Sequence, residues 1–144
     1  THARYDKFRD DSLASALASL GRTQIDFDGR SLPYVPEHKA AVSPTFTLPF
    51  TDGMFQARAD VSYQSKTYAR ADNFVIFGDR TVVDLRLRGE YKNFSLQLFA
   101  NNVFDDDTPV AGVRFFDAVR YSGPAPLIFG PPRRQLGATV GYKF

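Results

Sequence analysis

Cysteine is absent from the 144 residues, which excludes disulfide bracing and thiolate chemistry. A charge excess is nearly absent too. Eighteen basic residues against 16 acidic ones leave a net +2, which gives no pull toward a polyanion, so no nucleic-acid partner is expected. Histidine is scarce: His2 and His38 stand far apart without companions at a metal-ligand spacing, and neither metal nor cofactor is expected. No run of about 18 apolar residues occurs, which excludes a membrane helix. It leaves a membrane strand open, because that signal is alternation and not bulk hydrophobicity. The opening THARYDKFRD has no apolar core of the kind a secretion signal carries.

What is present is aromatic. Phe and Tyr, 14 and 7 of them, make up 15% of a chain that is on average hydrophilic. That balance suits a protein whose exposed apolar surface is one narrow band. The final stretch RQLGATVGYKF places Leu136, Ala138, Val140, Tyr142 and Phe144 at every second position. Small or polar residues stand between them, so one face of an extended strand is apolar and the other is not. The same period of two recurs upstream. Val83, Leu85, Leu87 and Gly89 oppose Asp84, Arg86, Arg88 and Glu90. Phe94, Leu96, Leu98 and Ala100 oppose Ser95, Gln97 and Asn101, with Phe99 breaking the pattern on the polar side. Phe55, Ala57, Ala59, Val61 and Tyr63 oppose Gln56, Arg58, Asp60, Ser62 and Gln64. KAAVSPTFTLPF aligns Ala40, Val42, Phe46 and Leu48 with Pro44, and a Pro there demotes a strand to an edge or a bulge. THARYDKF reads as the tail of one more strand, which makes about six, each near the length that crosses a bilayer at a tilt.

Connections sort by length. Short turns fall at Asp52-Gly53 and around Lys92-Asn93; long ones span 9–37, 66–79 and 105–131. Strict alternation of long and short puts every short turn at one rim of an antiparallel meander and every long loop at the other. Outer-membrane barrels have that asymmetry. Charges on the polar face (Arg58, Asp60, Asp84, Arg86, Arg88, Glu90) suit a wide lumen, where they pair across strands or with a plug. Tyr142, Phe144, Phe55, Tyr91 and Phe94 cluster toward the turn rim as an aromatic girdle. A soluble antiparallel sheet with one buried face also alternates, and is the competing account. Six strands cannot close an open barrel, so the expectation is the C-terminal piece of a larger one, with Phe144 as the parent's last residue.

Three stretches carry a family resemblance. LFANNVFDDDTPV, on Asn101, Asn102, Val103, Phe104 and Asp105, resembles the asparagine box after the penultimate strand of TonB-dependent outer-membrane receptors. It runs into Asp106, Asp107 and Thr108 where the family has an aromatic. GRSLPYVPEHK is similar to a second family segment on Gly29, Leu32, Pro33, Pro36, His38 and Lys39. GPPRRQLGATVGYKF is similar to the family's final strand on Gly130, Pro132, Arg133, Gly137, Tyr142 and Phe144. The resemblance implies an all-β, antiparallel, up-and-down transmembrane barrel of 22 strands, of which residues 1–144 are the C-terminal portion without the plug. It also implies a Gram-negative outer-membrane location and uptake of a scarce bulky ligand such as a ferric siderophore. Implied partners are the remaining strands and plug, the TonB complex acting through that plug, and the barrel assembly machinery, which would read Tyr142 and Phe144 as an insertion signal. Lipopolysaccharide and membrane lipid complete the set.

Other residues are weaker candidates. Arg114, Phe115, Phe116, Arg120 and Tyr121 in the last long loop could contact an anionic or aromatic ligand, or the loops could simply pack on each other. Asp105, Asp106 and Asp107 could attract a cation but lack further ligands at a fixed spacing, which favours a solvated loop tip. Asn101 and Asn102 are expected to organise the strand-to-loop transition. Leu13, Leu17 and Leu20 stand at helical spacing ahead of Gly21, suggesting a short helix over 11–20. A barrel hydrolase would need a set such as Ser31, Glu37 and His38, which carries no nucleophile signature, so no catalytic residue is expected. A passive porin-like barrel is the other rival.

Overall fold

Each long alternating stretch is an extended strand in the computed structural model, which describes residues 3–9, 18, 26–116 and 124–144. In chain order the strands are β1 (Lys39–Val42), β2 (Thr45–Phe50), β3 (Gly53–Gln64), β4 (Thr67–Tyr68) and β5 (Ile76–Phe77). They continue as β6 (Arg80–Tyr91), β7 (Phe94–Asn101), β8 (Ala111–Phe116), β9 (Pro124–Phe129) and β10 (Gln135–Tyr142). The residues divide into a sheet unit (Lys39–Gln64, Arg80–Asp107, Pro131–Phe144) and a loop unit (Thr1–His38, Ser65–Asp79, Thr108–Gly130).

The sheet unit is an open antiparallel meander in the order β1-β3-β6-β7-β10, with β2 also on β3. β1 and β2 are two halves of one line, because the register runs on from Val42↔Val61 to Thr45↔Arg58 without a shift. Pro44 has no N–H to give the ladder, yet its carbonyl still accepts from Ala59 N at 3.1 Å. It therefore sits in an edge strand without bulging it.

Two tight turns close the hairpins at one rim. Pairing of Phe50 with Gly53 leaves Thr51 and Asp52 as the turn, and pairing of Tyr91 with Phe94 leaves Lys92 and Asn93. Asp52 and Lys92 take the left-handed φ values of 65° and 51°. The first turn thus lies one residue before the Asp52-Gly53 expected from sequence. Gly53 is needed inside the strand, where a Cβ would overlap the Glu90 carbonyl oxygen and crowd the Phe50 ring. At the other rim stand Lys39, Gln64, Arg80, Asn101 and Gln135, the strand ends from which the long connections leave. Turn sorting by rim is therefore observed.

The opening strand is not. Among the described residues, Arg4 and Arg9 form isolated bridges with Ser31 and Asp26, so this segment pairs within the loop unit and adds no line to the sheet. Its aromatic residues explain why: Phe27 is fully buried, packed with Ala71 and flanked by Tyr5 and Phe8. The Tyr5 and Phe8 rings stack at 4.7 Å, and Phe8 meets Phe27 at 5.7 Å. Three long connections meet in this unit. Arg30 Nη1 donates to the Asp72 carbonyl at 2.9 Å, Ser31 N donates to Asn73 Oδ1 at 2.9 Å, and Tyr34 Oη donates to the Gly112 carbonyl at 2.9 Å. Phe77 stacks on Tyr34 at 6.0 Å and presses on Gly112, where a Cβ would lie 3.2 Å from its ring. The helix expected over 11–20 falls outside the described residues apart from Ala18.

Candidate functional site

Register assigns the two faces of the sheet row by row, because directly opposed residues point to the same side. From the turn rim, the apolar rows are Phe50–Gly53–Tyr91–Phe94–Tyr142, then Leu48–Phe55–Gly89–Leu96–Val140, then Phe46–Ala57–Leu87–Leu98–Ala138. A fourth row joins Ala59, Leu85, Ala100 and Leu136. None of this is a sealed core: Leu85 is 40% exposed, Leu96 46% and Val140 74%. Within this unit no described residue seals the face. Five lines of large aliphatic and aromatic side chains stand open, an extent that marks a partner or membrane surface and not an ordinary exterior.

The aromatic rim of that face is built as pairs. Phe94 lies 4.8 Å from Tyr142, Tyr142 meets Phe144 edge-on at 5.1 Å, and Phe50 stacks on Tyr91 at 6.4 Å. Lys92 Nζ sits 5.2 Å above the Tyr91 ring. Continuing the line of Phe46 and Leu48 in KAAVSPTFTLPF, Phe50 belongs to this rim as well. Phe55 was assigned to it but lies one row deeper.

The opposite face collects the charges expected there. Arg58 faces Arg86, Asp60 faces Asp84, Gln56 faces Arg88 and Met54 faces Glu90. Asp60 is the hub: Arg58 Nε donates to both its oxygens at 2.9 and 3.1 Å, and Arg86 Nη1 donates to Oδ2 at 3.1 Å. Arg88 pairs with Glu90 two residues along the same strand. Asp84 accepts the Asn102 N–H at 2.8 Å. Phe99, which breaks the alternation, lies over Gly137 so closely that a Cβ there would overlap its ring. An aromatic covering a glycine on the neighbouring strand protects backbone that would otherwise be bare.

At the far rim the asparagine box forms a clasp. Asn102 is buried with φ 50°; its Nδ2 donates to the carbonyls of Asp106 and Pro132 at 2.9 and 3.1 Å, and its Oδ1 accepts the Asp106 N–H at 2.9 Å. Asp105 accepts the Arg134 N–H at 2.8 Å, Asp106 accepts the Thr81 N–H at 3.2 Å, and Asp107 pairs with Arg133 at 3.0 Å. The three carboxylates are thus tied to neighbouring strand ends, and Asn102 organises the transition as expected. Asn101 stays in the ladder opposite Gln135. Arg133 belongs to the family-like final segment, but its pairing, like that of Arg134, follows only from the fold, which brings 133–134 beside 105–107.

Of the loop candidates, Arg114, Phe115 and Phe116 lie on β8, paired with β9 opposite Pro126, Ala125 and Pro124. Arg120 and Tyr121 lie outside the described residues. Of the residues a hydrolase would need, His38 donates its N–H to Ser65 Oγ and accepts the Ser65 N–H, Glu37 reaches Arg4 at 3.6 Å, and the Ser31 amide is held by Asn73.

A family model described as TonB dependent receptor-like, beta-barrel, matches residues 2–103. The chain belongs to that family. Its members are outer-membrane transport receptors of Gram-negative bacteria, not enzymes. No curated protein matches the sequence. Among solved structures, BauA, the ferric preacinetobactin receptor from Acinetobacter baumannii, is similar with a TM-score of 0.55 at 20% identity, which speaks for the fold alone. The likeness covers 82% of this chain but 16% of that one, so the chain spans a small part of that receptor. The TonB-dependent receptor match stops at Val103, yet β10 beyond it pairs residue for residue with β7 inside it, from Gln135↔Asn101 to Tyr142↔Phe94.

Proposed function

We propose that residues 1–144 are the C-terminal portion of a TonB-dependent receptor barrel of 22 strands, whose plug and remaining strands lie elsewhere in the parent protein. The apolar rows face hydrocarbon and the aromatic rim sits at the membrane–water boundary of the Gram-negative outer membrane. Arg58, Asp60, Asp84, Arg86, Arg88 and Glu90 face the lumen, where neighbouring strands and the plug complete their pairing. The parent imports a scarce bulky ligand of the ferric siderophore class with energy from TonB acting through the plug. Arg114, Phe115, Phe116, Arg120 and Tyr121 belong to the ligand-facing loop. Tyr142 and Phe144 are read by the barrel assembly machinery during insertion, and lipopolysaccharide surrounds the loop side.

The observation that carries this reading is the contrast of faces: an apolar face left open, backed by a face on which Arg58, Arg86 and Arg88 each meet a carboxylate. Water would not tolerate the first, and lipid would not tolerate the second. The test is uptake in the parent organism before and after TonB is deleted, with ferric siderophores as probes. Loss of uptake supports the active receptor, whereas undiminished uptake points to a passive pore.

A further inference from the structure

The polar face has a second feature near its loop-side rim. Register sets Lys39 opposite Gln64 and Gln64 opposite Arg80, so the three side chains rise from one row. One row further in, Ser62 stands between Ala41 and Val82. A pocket of about 200 Å³ opens here, lined by Lys39, Ser62, Tyr63, Gln64, Arg80 and Val82. At roughly 30 Å³ per water it has room for about six waters or one small polyatomic ion.

Its lining holds two cations, an aliphatic hydroxyl and a carboxamide, but no carboxylate. Further down the strands, Asp60 is engaged by Arg58 and Arg86 and Asp84 by the Asn102 amide. Asp106 approaches Arg80 Nε only to 3.8 Å, beyond hydrogen-bond reach, while taking the Thr81 N–H. Lys39 is exposed and forms no ion pair among the described residues. In the rows below it each arginine has an acid at hydrogen-bond distance, whereas Arg80 has its acid only at 3.8 Å and Lys39 has none among the described residues. A surplus positive charge at a small hollow favours a counter-ion, and charge-assisted hydrogen bonds to an anion are roughly twice as strong as neutral ones.

We propose that this pocket binds a small oxyanion, a carboxylate or phosphoryl group, with Lys39 and Arg80 supplying charge and Ser62 and Gln64 donating hydrogen bonds. It stands on the geometry of the sheet and does not depend on transport. In an uptake path it would be a stopping point for the acidic group of a passing solute.

The experiment labels lysines of the intact receptor in detergent with a neutral acylating reagent and follows each site by peptide mass spectrometry. Inorganic phosphate and acetate are titrated separately, with chloride holding ionic strength constant. When the probe reaches about twice its dissociation constant, labelling of Lys39 should slow about threefold. Lys92 and Lys143, near the turn rim, should be unaffected. Protection by phosphate alone assigns a phosphoryl site; protection by acetate at similar concentration assigns a carboxylate site. Gln64→Glu, which places an acid in the row and leaves Lys39 available, should abolish protection. Equal slowing at Lys92 and Lys143, no slowing at Lys39 with either anion, or protection that survives Gln64→Glu would each overturn the proposal. Since no transport is measured, its failure leaves the uptake reading untouched.

Discussion

The two faces of the sheet are made by the same strands, yet they solve opposite problems. On one face Leu87, Leu98 and Leu96 stand open with no covering element among the described residues. On the other, each arginine of the central rows is matched to a carboxylate on its own strand or the next. A soluble protein would bury the first face and wet the second. Here both are left as they are, which teaches that the sheet is built for two different surroundings. Period-two alternation delivers both surfaces at once, since successive side chains point to opposite sides.

Swapping chemistry between the faces gives the largest expected effect. Leu98→Arg puts a guanidinium in the middle apolar row and should destabilise the receptor refolded into lipid vesicles by about 2–4 kcal/mol. Gln97→Arg, one residue away on the polar face, should cost less than about 1 kcal/mol, the penalty of facing Arg88 across the strands. Equal effects from the two would remove the distinction between the faces.

A second prediction concerns the rim where alternation stops. Asn102→Ala deletes bonds to Asp106 and Pro132 and takes this partner from the half-buried Asp106 N–H and from two carbonyls. A loss of about 1–3 kcal/mol is expected, with faster amide exchange confined to 102–106 and the start of β10. Asn102→Gly, which relieves the left-handed backbone, should recover only a few tenths of that.

Gly137→Leu tests the exception on the polar face. The new side chain meets the Phe99 ring and should cost about 1–3 kcal/mol by overpacking. Phe99→Ala in the same protein should restore much of it, a coupling readable as non-additivity in the refolding midpoints. Smallest is Glu90→Gln. Its pair with Arg88 is half-exposed, so less than about 1 kcal/mol should be lost.

Much of the sheet was readable before any coordinates. Leu136, Ala138, Val140 and Tyr142 declare a strand with one apolar face, and the structure pairs them with Ala100, Leu98, Leu96 and Phe94. The Pro44 interruption and the sorting of turns were legible for the same reason, since both follow from local backbone chemistry. Errors came where a contact distant in sequence decides. Asp52-Gly53 is a strong turn pair in isolation, but the Glu90 carbonyl reserves Gly53 for the strand and moves the turn back one residue. THARYDKF alternates like a strand, but Tyr5 and Phe8 find Phe27, some 20 residues away. The loop candidates at 114–121 rested on composition alone, and composition does not say where a side chain points.

The sequence by itself determined which residues extend, which face of each strand is apolar and which rim carries the short turns. These follow from a two-residue repeat and from glycine, proline and asparagine chemistry within a few residues. Only the tertiary structure decided that Asp60 serves two arginines, that Phe99 shelters Gly137, and that Lys39 and Arg80 line one hollow. Each depends on strand register, and register is a sum of cross-strand contacts that no single strand contains.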